Sequence, residues 1–203
     1  MKRKVDIMKT MKVKITFIEE LLGSASANPE IHKEFIASKA PDAQSMEEEV
    51  AAIGVEEFVE KSMTVFPRNA EGQPVILDYQ IRGFFKAACG FLRKVKDSKS
   101  SGLKAFKKEI DGLVFVKPRM IPIQFNGEIG SCQRPLRAET AQGARVALAN
   151  SESIPAGATA EFEIIMLNDN DEKLVREWLD FGQWNGLGQW RNAGKGSFTW
   201  EEI

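Results

Sequence analysis

Between Tyr79 and Asp97 the apolar side chains Ile81, Phe84, Phe85, Ala88, Leu92 and Val95 recur at i, i+3, i+4 and i+7, which predicts one long amphipathic helix. Such a stripe needs an apolar surface to cover it, so the chain must fold with this helix laid on a sheet or on other helices. Asp78 stands just before it as the expected N-cap. Two segments read as sheet. From Met11 to Ile18, Val13, Ile15 and Phe17 alternate with Lys12, Lys14 and Thr16, and from Ala160 to Leu167, Phe162, Ile164 and Met166 face one way. Shorter strands are expected at Met63–Phe66, Leu113–Val116, Met120–Phe125 and Ser197–Ile203. Val75–Leu77 is expected to fold back as a hairpin across the Asn-Ala-Glu-Gly-Gln-Pro turn at 69–74.

Further helices are predicted at about 30–38, 46–61, 103–110 and 171–181. Ser98–Gly102 reads as a mobile basic loop, and 126–158 is interrupted by Gly, Pro and Ser. The order of strand, helices, strands, helix and strand suits an α+β arrangement with helices on a sheet. Residues 1–10 read as a flexible basic arm, and 11–203 as a single domain with an acidic helical insertion at 28–62.

Charge is segregated along the chain although the net charge is only −1. Glu19 to Glu60 holds eleven acidic residues against Lys33 and Lys39, whereas Arg82 to Lys108 holds nine basic residues against Asp97. A split of this kind suits two differently tasked surfaces, one of them for a polyanion. The plainer alternative is two solvated faces that offset each other. No segment approaches the roughly 20 apolar residues of a membrane span, and the basic start MKRKVDIMKTMKVK is followed by no apolar core of a signal peptide. Cys89 and Cys132 lack C-x-x-C spacing and read as free core thiols. A cytoplasmic protein, with no membrane partner, is the expectation.

Catalysis is hard to assemble from these residues. His32 is the one histidine, and it is the one candidate for a general base. No nucleophile elbow, phosphate-binding P-loop or H-E-x-x-H zinc motif is present. Glu47-Glu48-Glu49 reads as an acidic helix start rather than a metal site, and Asp169 and Asp171 beside Asn170 read as helix capping. Neither a metal nor a cofactor is expected.

Residues 186–196 carry a different signal, glycines at Gly186, Gly188, Gly194 and Gly196 in the pattern G-x-G-x5-G-x-G. The run follows a helix and precedes a strand, the reverse of a dinucleotide fingerprint. Its glycines permit tight turns and close approach of backbone N–H groups to a phosphate. Arg191 and Lys195 lie inside it as counter-charges, and Trp184 and Trp190 are available to stack on bases or to pack beneath.

That spacing resembles the glycine-rich loop GhGxxxxxGhG of the RAMP superfamily, the repeat-associated proteins of CRISPR systems. All four glycines match, and Lys195 departs at the second h position. Gln80-Ile81-Arg82-Gly83-Phe84-Phe85-Lys86 is similar to the family's helix-start signature, and Leu22-Gly23-Ser24 with Asn28-Pro29 is similar to the N-terminal region of type III backbone subunits. The resemblance implies a ferredoxin-like, RRM-related core that binds single-stranded RNA along its sheet and basic grooves. The family's cutting aspartate in that first loop has no counterpart in Ser26-Ala27-Asn28-Pro29.

A non-catalytic protein binding guide or repeat RNA is therefore the leading expectation, as a backbone-type subunit or a solo relative. Arg82, Lys86, Arg93 and Lys94 would hold phosphates on the helix, and Arg134 and Arg137 would add to them. Gly186, Gly188, Trp190, Arg191, Gly194, Lys195 and Gly196 would form the loop part of the site. Its partners would be RNA, other CRISPR effector subunits or copies of itself. The alternatives are a phage-borne inhibitor that mimics or displaces a backbone subunit, an anti-CRISPR, and a His32-dependent endoribonuclease.

Overall fold

The computed structural model describes residues 8–27, 63–140, 143–168 and 171–203. His32, Glu47-Glu48-Glu49, both predicted acidic helices and the whole 28–62 insertion lie outside the described residues. In chain order the elements are β1 (Lys9–Phe17), β2 (Leu21–Leu22), β3 (Ala25–Ser26), β4 (Thr64–Val65), β5 (Val75–Leu77), α1 (Asp78–Leu92) and α2 (Phe106–Leu113). There follow β6 (Val114–Lys117), β7 (Met120–Gln124), β8 (Gly130–Thr140), β9 (Gly143–Ile154), β10 (Thr159–Met166), α3 (Asp171–Asp180) and β11 (Phe198–Glu202). Short 3-10 turns occur at Lys99–Gly102, Phe181–Gln183 and Arg191–Ala193. The chain divides into two compact units: one takes residues up to Leu21, Pro67–Gly127 and Ile154–Ile203, and the other takes Leu22–Phe66 and Glu128–Ser153.

The first unit is an antiparallel sheet in the order β11-β1-β10-β7-β5, with β6 also paired to β10. Lys9 and Thr10 already belong to β1, opposite Met166 and Ile165. The alternation in β1 and β10 has its physical cause in one covered face: Met11, Val13, Ile15, Phe17, Phe162, Ile164 and Met166 are all buried. Ile81, Phe84, Phe85, Ala88 and Cys89 of α1 lie in the same core, with Val175, Trp178 and Leu179 of α3. Edge-on rings lock the layers together, Phe84 to Phe198 at 5.2 Å and Phe17 to Phe198 at 6.1 Å between centroids.

Three sequence expectations change here. Asp78 is not the N-cap of α1: Leu77 holds that position, and its N–H donates to Gln80 Oε1 at 2.7 Å, while Asp78 turns into the first helical turn. The helix stops at Leu92, not Asp97, because the Ser98 hydroxyl donates to the Leu92 carbonyl at 2.7 Å and Asp97 adopts φ +64°. Val95, expected in the stripe, is consequently exposed. Finally, the hairpin across the 69–74 turn is short, an Arg68–Pro74 bridge with the Val75 N–H donated to the Pro67 carbonyl at 2.8 Å; β5 pairs along its length with β7, Ile76 opposite Ile121, and not with the 63–66 strand. The 69–74 turn does form, with Asn69 Oδ1 accepting from the Glu71 and Gln73 amides.

The second unit reveals what the Gly, Pro and Ser of 126–158 concealed. β8 and β9 form a long antiparallel pair, in register from Gly130 opposite Ser153 to Thr140 opposite Gly143. β8 pairs with β9 and lies off the main strand path, so Pro135 on this outer strand is tolerated without its N–H. Beyond β9 come β4 and then β3. Thr64 Oγ1 and Ser151 Oγ meet at 2.6 Å inside this unit, and Glu152 Oε2 accepts from the Phe66 amide.

Candidate nucleic-acid interface

The structure distributes the cations expected to bind phosphate among quite different jobs. Arg82 and Lys86 sit on the part-exposed side of α1 and face carboxylates. Arg82 Nη2 lies 3.3 Å from Asp78 and its Nη1 4.0 Å from Asp111, and Lys86 Nζ lies 2.5 Å from Asp111. Arg134 is buried at 6% exposure in the second unit and donates to Ser151 Oγ at 3.1 Å. Arg137 is carried on β8 opposite Val146. Lys195 pairs with Glu20 at 3.0 Å and Glu19 at 3.8 Å. Arg93 lays its guanidinium over the Phe106 ring at 5.4 Å. Lys94 and Arg191 are exposed.

The glycine loop is built by backbone crossing. Leu187 N–H donates to the Gly196 carbonyl at 3.0 Å, and Gly196 N–H donates to the Glu20 carbonyl at 2.8 Å. A Cβ on Gly186 would lie 1.7 Å from the Gly196 carbonyl oxygen, and one on Gly196 would lie 1.9 Å from that of Leu187. Gly188 and Gly194 serve another need, φ of +77° and +85°. Trp190 itself is left-handed at φ +57° and is 37% exposed. The four glycines thus have a conformational reason that holds with or without a ligand.

Residues 98–102, expected to be mobile, are pinned. The Glu177 carboxylate accepts from the Lys99 amide at 2.7 Å, the Ser100 amide at 3.1 Å and the Ser100 hydroxyl at 2.5 Å. Trp178 Nε1 donates to the same hydroxyl at 3.0 Å, and Ser100 is fully buried. Long-range side-chain contacts of this kind leave no periodic trace in sequence. They hold out a cationic run in which Arg93, Lys94, Lys96, Lys99, Lys104, Lys107 and Lys108 are all exposed.

The exposed face of the first sheet is different in character. Lys12 stands opposite Glu163, which stands opposite Lys117, and Glu201 stands opposite Lys14, which stands opposite Glu161. Ion pairs join Lys12 to Glu163 at 3.7 Å and Lys14 to Glu201 at 3.5 Å. Charges on this face balance, and Phe115 is its exposed aromatic side chain. Aromatic shelves instead occur at the end of α1, where Phe91 stacks on Phe181. Sequence reading passed over Phe91, whose signal was a large aromatic at the edge of the apolar stripe in the helix's last turn.

Two groups bear on possible chemistry. Burial pushes the Cys89 thiol up, with a hydrogen bond to Ser100 opposing it, so Cys89 is a protonated core thiol. Cys132 is only half-buried, short of the expected core position, and neither cysteine is in a disulfide. Burial also raises the Asp171 carboxyl, helped by Glu109. These two carboxylates line a cavity of about 10 Å3 with Phe106, Ile110 and Trp178, room for about one water. Among the described residues no three His, Cys, Asp or Glu side chains gather as metal ligands would. Among them, too, no helix is long and apolar enough to cross a membrane.

The arrangement is that of a mixed α+β protein with antiparallel sheets, helices on one face of the first sheet and a glycine-rich loop before the last strand. No protein-family model and no curated protein matches the chain. Its fold is similar to that of a chain in the cryo-EM structure of the Type III-B Cmr-beta bound to cognate target RNA, with a TM-score of 0.54 and 14% sequence identity over 97% of this chain. This chain spans 61% of the length of that one. At such identity the likeness is one of fold.

Proposed function

We propose that this chain binds single-stranded RNA in the manner the RAMP resemblance implies, alone or beside other subunits of a CRISPR effector assembly. The observation that carries the reading is the exposed run from Arg93 to Lys108, seven Lys and Arg against the single acid Asp97. Like charges gathered on one segment repel each other, and a polyanion relieves that repulsion while releasing its own counterions. The fold supports the same reading, since the similar solved structure is of an assembly bound to target RNA. The strand order β11-β1-β10-β6 is a further support. With α1 and α3 as the crossovers, it favours a ferredoxin-like, RRM-related core. Arg191 adds a phosphate contact from the glycine loop, and the balanced sheet face contributes little.

The test is fluorescence anisotropy of a labelled single-stranded RNA with the full chain over a series of salt concentrations. Log K should fall linearly with log salt, by about 0.7 for each phosphate neutralised. Exchanging Lys94, Lys96, Lys104 and Lys107 for Glu should abolish binding. Absence of binding at low salt, or binding indifferent to salt and to these exchanges, would overturn the proposal.

A further inference from the structure

The exposed aromatic side chains at the end of α1 form a pattern that the cationic run alone does not explain. Phe91 is 52% exposed and stacks on Phe181, with centroids 6.0 Å apart and 28° between the ring planes. Phe181 opens the 3-10 turn Phe181–Gln183, and its carbonyl accepts from the Trp184 amide at 3.0 Å and the Asn185 amide at 3.1 Å. Those bonds fix the turn that displays the Trp184 indole, which at 73% is more exposed than any other large apolar side chain among the described residues. An indole left this bare invites a ring to lie on it. Immediately beyond Phe91 the chain turns cationic, with Lys94, Lys96 and Lys99 exposed and in no ion pair among the described residues.

Exposed rings beside unpaired ammonium groups fit the two halves of a nucleotide, a flat base and a phosphate. An apolar protein surface would have to desolvate the lysines, and a duplex would offer phosphates but no free base faces. Resting on the RNA reading above, we propose that Phe91, Phe181 and Trp184 form a stacking platform for unpaired bases, with Lys94, Lys96 and Lys99 taking the adjoining phosphates. Selection at this surface is then for single-stranded over duplex nucleic acid, with little preference among bases.

The experiment compares the full chain with its Trp184→Ala, Trp184→Phe and Phe91→Ala variants against three ligands: labelled oligouridine, a duplex RNA of equal length, and heparin, a polyanion without bases. Thermal melts check that each variant is folded. Trp184→Ala and Phe91→Ala should each weaken oligouridine binding about tenfold while leaving duplex and heparin binding unchanged. Trp184→Phe should restore most of the loss. A triple Lys94→Ala, Lys96→Ala, Lys99→Ala variant should weaken all three ligands. If the aromatic variants bind oligouridine like the parent while the lysine variant does not, the platform is refuted and the RNA reading stands. If the parent protein binds neither RNA, both fall together. Should duplex and single strand lose equally in the aromatic variants, the selection for unpaired bases is refuted.

Discussion

Gly186 and Gly194 belong to one motif, yet replacing them with alanine should have unequal consequences. At Gly194 an added Cβ meets nothing within 4 Å, and only the φ of +85° opposes it. That is the left-handed penalty, about 1–2 kcal/mol. At Gly186 the Cβ would fall 1.7 Å from the Gly196 carbonyl oxygen and 2.4 Å from the Ser197 nitrogen, both backbone atoms that no rotamer change can move aside. The two strands of the loop must separate, which breaks the Leu187-to-Gly196 hydrogen bond of 3.0 Å and strains the Gly196-to-Glu20 bond of 2.8 Å. Each buried group left unpaired costs about 1–3 kcal/mol. Leu187, only 4% exposed, would give up part of its burial as well. A loss of about 3–5 kcal/mol follows, a large share of the stability of an ordinary domain. Urea denaturation followed by tryptophan fluorescence should thus place Gly186→Ala at least about 2 kcal/mol below Gly194→Ala. Equal destabilisation, or a larger effect at Gly194, would refute the claim that backbone crossing is what requires the outer glycine.

Three other outcomes follow from the packing. Glu177→Gln should destabilise the protein by about 2 kcal/mol, and hydrogen exchange should speed up at the Lys99 and Ser100 amides in particular, because the charge-assisted acceptor is lost. Hydrogen bonds from Lys9 and Arg176 hold the Glu172 carboxyl below its ordinary value of 4.5. A depressed carboxyl contributes stability above its unfolded value and loses it as the pH falls through the folded one. Melting temperatures of Glu172→Gln and the parent should therefore differ at neutral pH, by the equivalent of about 0.2–1 kcal/mol, and converge as the pH drops below 4.5. Arg134→Met should lower stability by about 1–3 kcal/mol, measured by denaturation, since it strips Ser151 of a buried donor. A surface phosphate ligand would instead lower RNA affinity and leave the melting temperature unchanged.

The position of the proposed RNA surface follows from charge that is already committed. On the exposed sheet face, where an RRM would present aromatic rings, lysines and glutamates sit opposite one another across four strands. Arg82 and Lys86 are similarly engaged with Asp78 and Asp111. Lys94, Lys96 and Lys99, which form no ion pair among the described residues, are instead found past the end of α1. There the helix dipole favours them, and Ser98 closes the last turn.

Some of this was decided within short stretches of chain. The alternation of β1 and β10 and the stripe of α1 record which face of each element is buried, and that record is local because pleat and helical pitch are local. The 69–74 turn was equally legible, since Asn69 bonds to amides two and four residues on. Glycines at 186, 188, 194 and 196 announced a constrained loop, though not that Gly186 answers a crossing, Gly188 and Gly194 a backbone angle, and Gly196 both. Tertiary structure decided the remainder. It paired β5 with β7, and it placed Pro135 on an outer strand whose lost N–H does no harm. Through Glu177 it turned the 98–102 loop into a fixed one. It also matched Lys86 with Asp111, and Lys195 with Glu19 and Glu20. These partners are far apart along the chain, and the Coulomb and hydrogen-bond energies that join them depend on distance in space, which periodicity does not encode.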